Sequence, residues 1–287
     1  MKPAAPEYLC IGHCCHDQLG DRVVLGGTAS YSGLVATRLG LPTGIFTSTG
    51  PEFAFAEVFE KSGIRFWNKP AQATTVFENI YHDDQRTQYL HRRAETLFAA
   101  DLPEACRSAS IVLFCPIAAE VDFSIMQQFP HALKGATIQG WLRQWDAAGK
   151  VSPKSMDWSQ LAAADVVILS DADIRGFEDS LPAIAAAVEV LVMTRGAQGA
   201  QVFYRNREFH FPAFPVREVD ATGAGDVFAT AFLIKFAQTR DIAQAAGFAH
   251  CAASFIVEGV GIDNLVGIEK VEERFATYRE RVSVAAD

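Results

Sequence analysis

The sequence predicts an α/β protein whose mostly parallel central sheet is covered by helices on both faces. From Tyr8 to about Val260, short apolar runs rich in β-formers alternate with Ala-rich stretches of helical character, the pattern of strands joined by crossover helices. Of the 287 residues, 49% are apolar and 21% charged, so the chain can bury one sizeable core. We expect a single domain over residues 1–287.

In chain order, the first strand candidate is Tyr8 to Ile11. Helices then follow over Ala29 to Leu39 and Ala54 to Lys61, stopped by Gly40 and Gly63, where a left-handed C-cap needs glycine. The alternation breaks at Thr74 to Tyr81 and Thr87 to His91, two amphipathic runs around the polar residues His82 to Arg86. They read as a β-hairpin projecting from the body, so that residues 74–91 form a small lid over a pocket or an edge hairpin with no task. Strands at Ile111 to Cys115, Asp165 to Leu169 and Val190 to Thr194 come next, then helices at Asp226 to Phe236 and Ile242 to Val257.

The charge balance excludes some functions. With 25 basic against 34 acidic residues and a net charge of -9, the chain offers no electrostatic footprint for nucleic acid or an anionic membrane. A small-molecule partner fits better, and the chain is expected as a monomer or homodimer. No apolar run reaches the ~18–20 residues of a membrane span, and Met1 to Pro6 lacks the charged and apolar parts of a leader, so we expect a cytoplasmic protein. Six cysteines, several inside apolar runs, read as buried free thiols of a reducing compartment. The run His13-Cys14-Cys15-His16 offers four metal-capable side chains, but neighbours on an extended chain face opposite ways and do not converge on one tetrahedral ion.

The segment Val219-Asp220-Ala221-Thr222-Gly223-Ala224-Gly225-Asp226 carries the most chemistry. Small residues and glycines let the backbone turn tightly into the helix that begins near Val227, and the unpaired N–H groups at a helix start form an anion site. A carboxylate at Asp226 would repel a bound phosphate unless it had a task. In phosphoryl transfer it accepts the proton of an attacking hydroxyl while the N–H groups of the helix start stabilise the transferred group. The alternative is that Asp226 only caps the first turn.

The run DATGAGD at 220–226 resembles the signature of the PfkB/ribokinase family of carbohydrate kinases, commonly D-T-x-G-A-G-D. Gly12 with Asp17, the pair Gly26-Gly27, and Thr194-Arg195-Gly196 with Gly199 fall in the same order as further family features. The resemblance implies a ribokinase-like fold and transfer of the γ-phosphate of ATP, with Mg2+, to a hydroxyl of a small polyol or sugar. It implies Asp226 as base and Gly223, Ala224 and Gly225 as anion hole. Asp17, Gly26, Gly27 and Ser30 become the substrate platform, and Thr194, Gly196, Gly199, Thr222, His250 and Ser254 the nucleotide side. Asp173, in Ser170-Asp171-Ala172-Asp173, stands where the family has the glutamate of N-x-x-E and would hold Mg2+ through water. Asp220 would lie near a monovalent cation such as K+.

Two departures shape the substrate expectation. Tyr31 occupies a position where many members carry asparagine, and only the eight residues 18–25 separate Asp17 from Gly26. That spacer leaves no room for two further lid strands, so the 74–91 hairpin is expected to be the whole lid. Gly12 to Asp17 with the short spacer and Gly26 to Ser30 resembles the myo-inositol kinase branch. Arg143, within Gln139 to Asp146, follows a strand end and offers a guanidinium for a phosphate or substrate oxygen, and Glu120 and Arg92 are further substrate candidates. Other readings are a nucleoside or phosphosugar kinase, the latter using Arg86, Arg92 and Arg93, and a catalytically silent sugar- or nucleotide-binding regulator.

Overall fold

The computed structural model of the chain describes residues 5–82 and 85–284. Seven parallel strands form most of a nine-stranded sheet: β1 (Tyr8–Ile11), β4 (Thr43–Thr49), β5 (Arg65–Pro70), β8 (Ile111–Phe114), β9 (Leu133–Thr137), β12 (Val166–Ser170) and β13 (Val190–Thr194). Two antiparallel strands, β14 (Ala200–Tyr204) and β15 (Arg207–Phe211), extend one edge, giving the order β15-β14-β13-β12-β9-β8-β1-β4-β5. Among the described residues six α-helices accompany the sheet: α1 (Thr28–Arg38), α2 (Ala56–Lys61), α3 (Leu181–Ala187), α4 (Ala224–Thr239), α5 (Ile242–Ile256) and α6 (Ile268–Val284).

The interior strands β1, β8, β12 and β13 are almost wholly apolar because both sheet faces are covered there. Tyr8, Cys10, Ile111, Leu113, Val166, Ile168, Val190 and Val192 join the core beneath α1, α4 and α5. Their neighbours Leu9, Ile11, Val112, Phe114, Val167, Leu169, Leu191 and Met193 join the core on the opposite face, with Ile184 of α3. That period-two split is the strand alternation expected of an interior sheet. The positions expected for β1, β8, β12 and β13 fall within a residue of those observed, the two hairpin strands start two residues away from their expected starts, and α4 begins two residues before Asp226.

The lid differs from the expectation. It is a four-stranded sheet of order β3-β2-β6-β7, built from β2 (Cys15–Leu19), β3 (Arg22–Gly26), β6 (Val76–His82) and β7 (Gln85–Arg92). The short spacer suffices because β2 already starts at Cys15 and pairs Leu19 with Arg22 across a two-residue turn, and Gly20 supplies the positive φ such a turn needs. The second hairpin is longer than its polar centre indicated, reaching His82 and resuming at Gln85, so only Asp83 and Asp84 of the expected turn lie outside the described residues.

Two devices seat the lid. At its base, the buried His13 ring hydrogen-bonds the Thr75 hydroxyl and the Glu95 carbonyl, each at 2.8 Å, linking the start of β2 to the residues just before β6 and after β7. At its β7 edge, a small hairpin of β10 (Arg143–Trp145) and β11 (Val151–Pro153) reaches across, and the Leu90 N–H donates to the Gly149 carbonyl at 2.8 Å. Cys15, Phe77 and Leu90 then pack on Ile117 and Ala118 beyond β8. All six cysteines are buried and free. Among the described residues no helix is long and apolar enough to cross a membrane.

Candidate active site

The loops leaving the C-terminal ends of β1, β8, β9, β12 and β13 face the lid and the start of α4, where ligands of open α/β sheets bind. A cavity of about 270 Å³ lies there. The lid contributes Cys15 and Asp17 from β2, Phe77 and Asn79 from β6, and Gln88 from β7. The body contributes Gly27, Thr28 and Tyr31 around the start of α1, Ile117, Gln139 and Arg143 beyond strand ends, and Ala221, Thr222, Gly223, Gly225 and Asp226. Arg143 is held by donation from its guanidinium to the Ile117 carbonyl at 2.8 Å and lies over the Phe77 ring.

The start of α4 is an anion site with a carboxylate in it. Gly223 is the N-cap in the left-handed region, φ 81°, and a Cβ there would come within 2.7 Å of the Tyr31 ring. The Val227 N–H closes the first turn on the Gly223 carbonyl at 2.9 Å, so the N–H groups of Gly225 and Asp226 have no acceptor within the helix. The Asp226 carboxyl is pushed up to about 7, chiefly by desolvation, with the charges of Asp173 and Asp17 raising it and the Thr28 hydroxyl and Arg143 opposing. A carboxylate of that basicity can take a proton near neutral pH. Burial and the carboxylates of Asp226, Asp17 and Asp220 together push the Tyr31 phenol up to about 12, so it stays a neutral donor.

A second cavity of about 360 Å³ opens on the other side of the same turn. Thr194, Gly196, Ala197 and Gly199 form one wall, Ala213 to Val216 another, and Phe228, His250, Ala253, Ser254 and Val257 the floor. Ala221 and Gly225 belong to both cavities, so the two meet beside Asp226. Burial lowers the His250 imidazole to about 4, keeping it neutral, and its ring stands edge-on to Phe228.

Most residues singled out in the sequence converge on these cavities, with definite exceptions. Ser30 is fully buried and donates to the Gly26 carbonyl at 2.8 Å, so it holds the double glycine in place and does not line the cavity. Glu120 is also fully buried, and its carboxylate accepts from the N–H groups of His13, Ile117 and Ala118. Three backbone donors satisfy it, so it braces loops on which the site stands. Gly26 works by absence: a Cβ there would lie 2.3 Å from an Asp17 carboxylate oxygen.

Thr222 lines the first cavity and not the second, contrary to its expected place on the nucleotide side. Ala224 lines the second, and its N–H is bonded to the Ala221 carbonyl, which removes it from the expected anion hole. Ser254 reaches the second cavity, but its hydroxyl is engaged by the Cys251 carbonyl and Arg274. Asp220 accepts from the Thr222 N–H and lines neither cavity. Arg92 pairs with Glu52, and Arg93 donates to the Ala118 and Ala119 carbonyls, so neither faces the site. The side chain of Arg86 lies outside the described residues.

The sequence reading missed Thr28, Phe77, Asn79, Gln88 and Gln139. Alternation on the second lid hairpin carries part of that signal, since Phe77 and Asn79 share one strand face.

A nine-stranded α/β sheet with a β lid, and a carboxylate at a helix start between two cavities, define a small-molecule enzyme of the α/β class. The chain belongs to the pfkB family of carbohydrate kinases, which residues 21–266 match, and it spans 35% and 27% of the length of the first two curated relatives it matches. It is 28% identical over 170 residues to the bifunctional protein HldE of Caulobacter vibrioides, covering 53% of this chain but only 35% of that protein. It is 25% identical over 251 residues to the inositol 3-kinase of Oryza sativa subsp. japonica, covering 79% of this chain and 62% of that protein.

Among solved structures, a pyrophosphate-dependent kinase in the ribokinase family complexed with a pyrophosphate analog and myo-inositol matches with a TM-score of 0.77 at 21% identity, over 93% of this chain and 99% of that one. The fructokinase of Xylella fastidiosa with bound ATP matches with a TM-score of 0.79 at 20% identity, over 95% and 99%. These likenesses show the ribokinase-like fold.

Proposed function

We propose that the chain is an ATP-dependent kinase of a small polyol or sugar, with myo-inositol as first candidate, and that Asp226 is its base. The observation that carries this is the meeting of two unlike cavities beside Asp226. The first is lined by Asp17, Asn79, Gln88, Arg143 and Tyr31, groups that match a hydroxylated ring. The second, lined by Phe214, Pro215, Val216, Phe228, Ala253 and Val257, matches a nucleobase, which favours a nucleotide donor over pyrophosphate. Tyr31 supplies an aromatic wall for the C–H face of a ring, and the engagement of Arg92 and Arg93 elsewhere disfavours a phosphosugar acceptor.

In this reading Asp17 and the lid amides orient the acceptor so that one hydroxyl points at Asp226. As the hydroxyl oxygen bonds to the γ-phosphorus, its proton passes to the Asp226 carboxylate and the bond to the β-phosphate oxygen breaks, releasing ADP. The Gly225 and Asp226 N–H groups face the charge that develops on the transferred group. The lid excludes water that would otherwise take the phosphoryl group.

Mg2+ supplies charge neutralisation on the donor phosphates when bound, and Asp173 is the residue that would hold it through water. Its carboxylate accepts from the Ser170 N–H, the Ser170 hydroxyl and the Gln139 amide. A carboxylate has about four acceptor sites, so room remains for a water. A monovalent cation at Asp220 forms no part of the proposal, since that carboxylate already caps the Thr222 N–H.

The test is ADP release from MgATP, and phosphate transfer from pyrophosphate, across inositols, ribose, fructose, nucleosides and fructose phosphates, beside Asp226→Asn. Turnover of a single-ring polyol with ATP, lost in the variant, supports the reading. Ligand binding without turnover of any acceptor would replace it with a silent binding protein.

A further inference from the structure

Beside the acceptor cavity lies a third cavity of about 240 Å³. It is bounded by Thr87 of the lid, Leu142, the segment Lys150 to Pro153, and Asp173. Three side chains, Gln88, Gln139 and Arg143, line both this cavity and the acceptor cavity, so they form the wall between the two. Each is tethered. The Gln139 amide donates to Asp173 at 3.0 Å, Arg143 donates to the Ile117 carbonyl at 2.8 Å, and the Gln88 amide donates to the Asn79 side-chain carbonyl at 2.9 Å. The first two tethers lie within the body. The third lies wholly within the lid, between directly paired residues of β6 and β7.

We propose that Gln88, held across the lid by Asn79, is a partition that limits the acceptor to a single ring, and that the neighbouring cavity is latent space for a second, hydroxylated ring. The inference rests on the reading of the first cavity as the acceptor site. About 270 Å³ accommodates one polyol ring, whereas a glycoside or nucleoside needs space of the order that the two cavities provide together. The second space is polar, with Ser152, Lys150, Arg143 and Asp173 on its walls. It therefore suits hydroxyl groups better than an aromatic base. Because the Asn79 carbonyl accepts from Gln88, the glutamine amide is held on the lid where it lines both cavities. Specificity by blocking needs only that the wrong acceptor collide, so one well-anchored side chain suffices.

The experiment compares wild type, Gln88→Ala and Asn79→Ser with myo-inositol and with galactinol, its galactoside. Both kcat/KM with MgATP and Kd by calorimetry are measured, and thermal unfolding checks each variant. Gln88→Ala is expected to raise the galactinol-to-inositol ratio at least tenfold in both measurements. Asn79→Ser, which frees Gln88 without removing it, is expected to shift the ratio in the same direction by less. A ratio unchanged in Gln88→Ala, or both ligands weakened by one common factor, would overturn the partition. If no protein turns over any acceptor, the kinase reading fails, while the ratio of dissociation constants still decides whether Gln88 separates the two spaces.

Discussion

The two cavities that meet at Asp226 are assembled differently. The proposed acceptor cavity gathers residues from β2, α1, β6, β7, the loops after β8 and β9, and the turn before α4, and most of what it presents is polar. The proposed donor cavity comes largely from three short segments, 194–199, 213–228 and 250–257, and presents mainly alanine, proline, valine and phenylalanine. A nucleobase pocket of this kind needs shape and dryness, which nearby segments supply together. An acceptor site must fix several hydroxyls, so it draws single groups from many places and changes with any of them.

Asp226→Asn should have the largest effect, because in the proposed reading Asp226 serves the chemistry rather than either cavity alone. Turnover is expected to fall by roughly 10² to 10⁴, with both substrates still bound. In wild type kcat/KM should rise with pH through about 7, as the Asp226 carboxyl ionises, and the variant should lack that limb. A pH profile retained in the variant would assign the base elsewhere.

Asp17→Ala should act on one side only. Hydrogen bonds to a charged group are worth about 1.5–3 kcal/mol, so kcat/KM for the acceptor is expected to fall about 10- to 150-fold while KM for ATP stays put. Parallel loss of ATP affinity would show that the cavities are not separable. The mirror test is Ala253→Leu, which fills part of the donor floor. Overpacking by about 1–3 kcal/mol should raise KM for ATP about 5- to 150-fold and leave acceptor binding unchanged.

The smallest effect is on stability. The Asp226 carboxyl is raised above its unfolded value, so the folded state binds the extra proton between about pH 4 and 7. Stability from this group is therefore present at low pH and is lost as pH rises through about 7. Asp226→Asn should unfold about 2–4 °C higher than wild type at pH 8, the shift that about 1 kcal/mol produces in a large domain, with no gain at pH 4. Calorimetry at the two pH values checks the sign.

What could be read from the sequence follows the same division. Both-face burial made β1, β8, β12 and β13 continuous apolar runs, and their limits were legible. The Gly223-Ala224-Gly225-Asp226 turn was legible because a helix start needs its glycines and its carboxylate next to each other in sequence. The first lid hairpin was not, since Cys15 to Gly26 contains two glycines and no long alternation, and its strands are stabilised by pairing with β6. Glu120 and Ser30 carried polar groups that suggested ligand contact, but buried backbone groups claim them. Asn79 and Gln88 acquire meaning only from strand register, which places them side by side.

That register limits how the lid can change length. Cys15 and Asp17 on β2, Phe77 and Asn79 on β6, and Gln88 on β7 all face the cavity, with Asp17 beside Phe77 and Asn79 beside Gln88. One residue inserted or deleted between Cys15 and Asp17, or between Phe77 and Asn79, would turn every later side chain of that strand to the opposite face. Insertions at the Gly20-Asp21 tip leave the same contacts untouched. Length variants of this chain that keep their acceptor should therefore carry their extra residues at the hairpin tips and never along the strands.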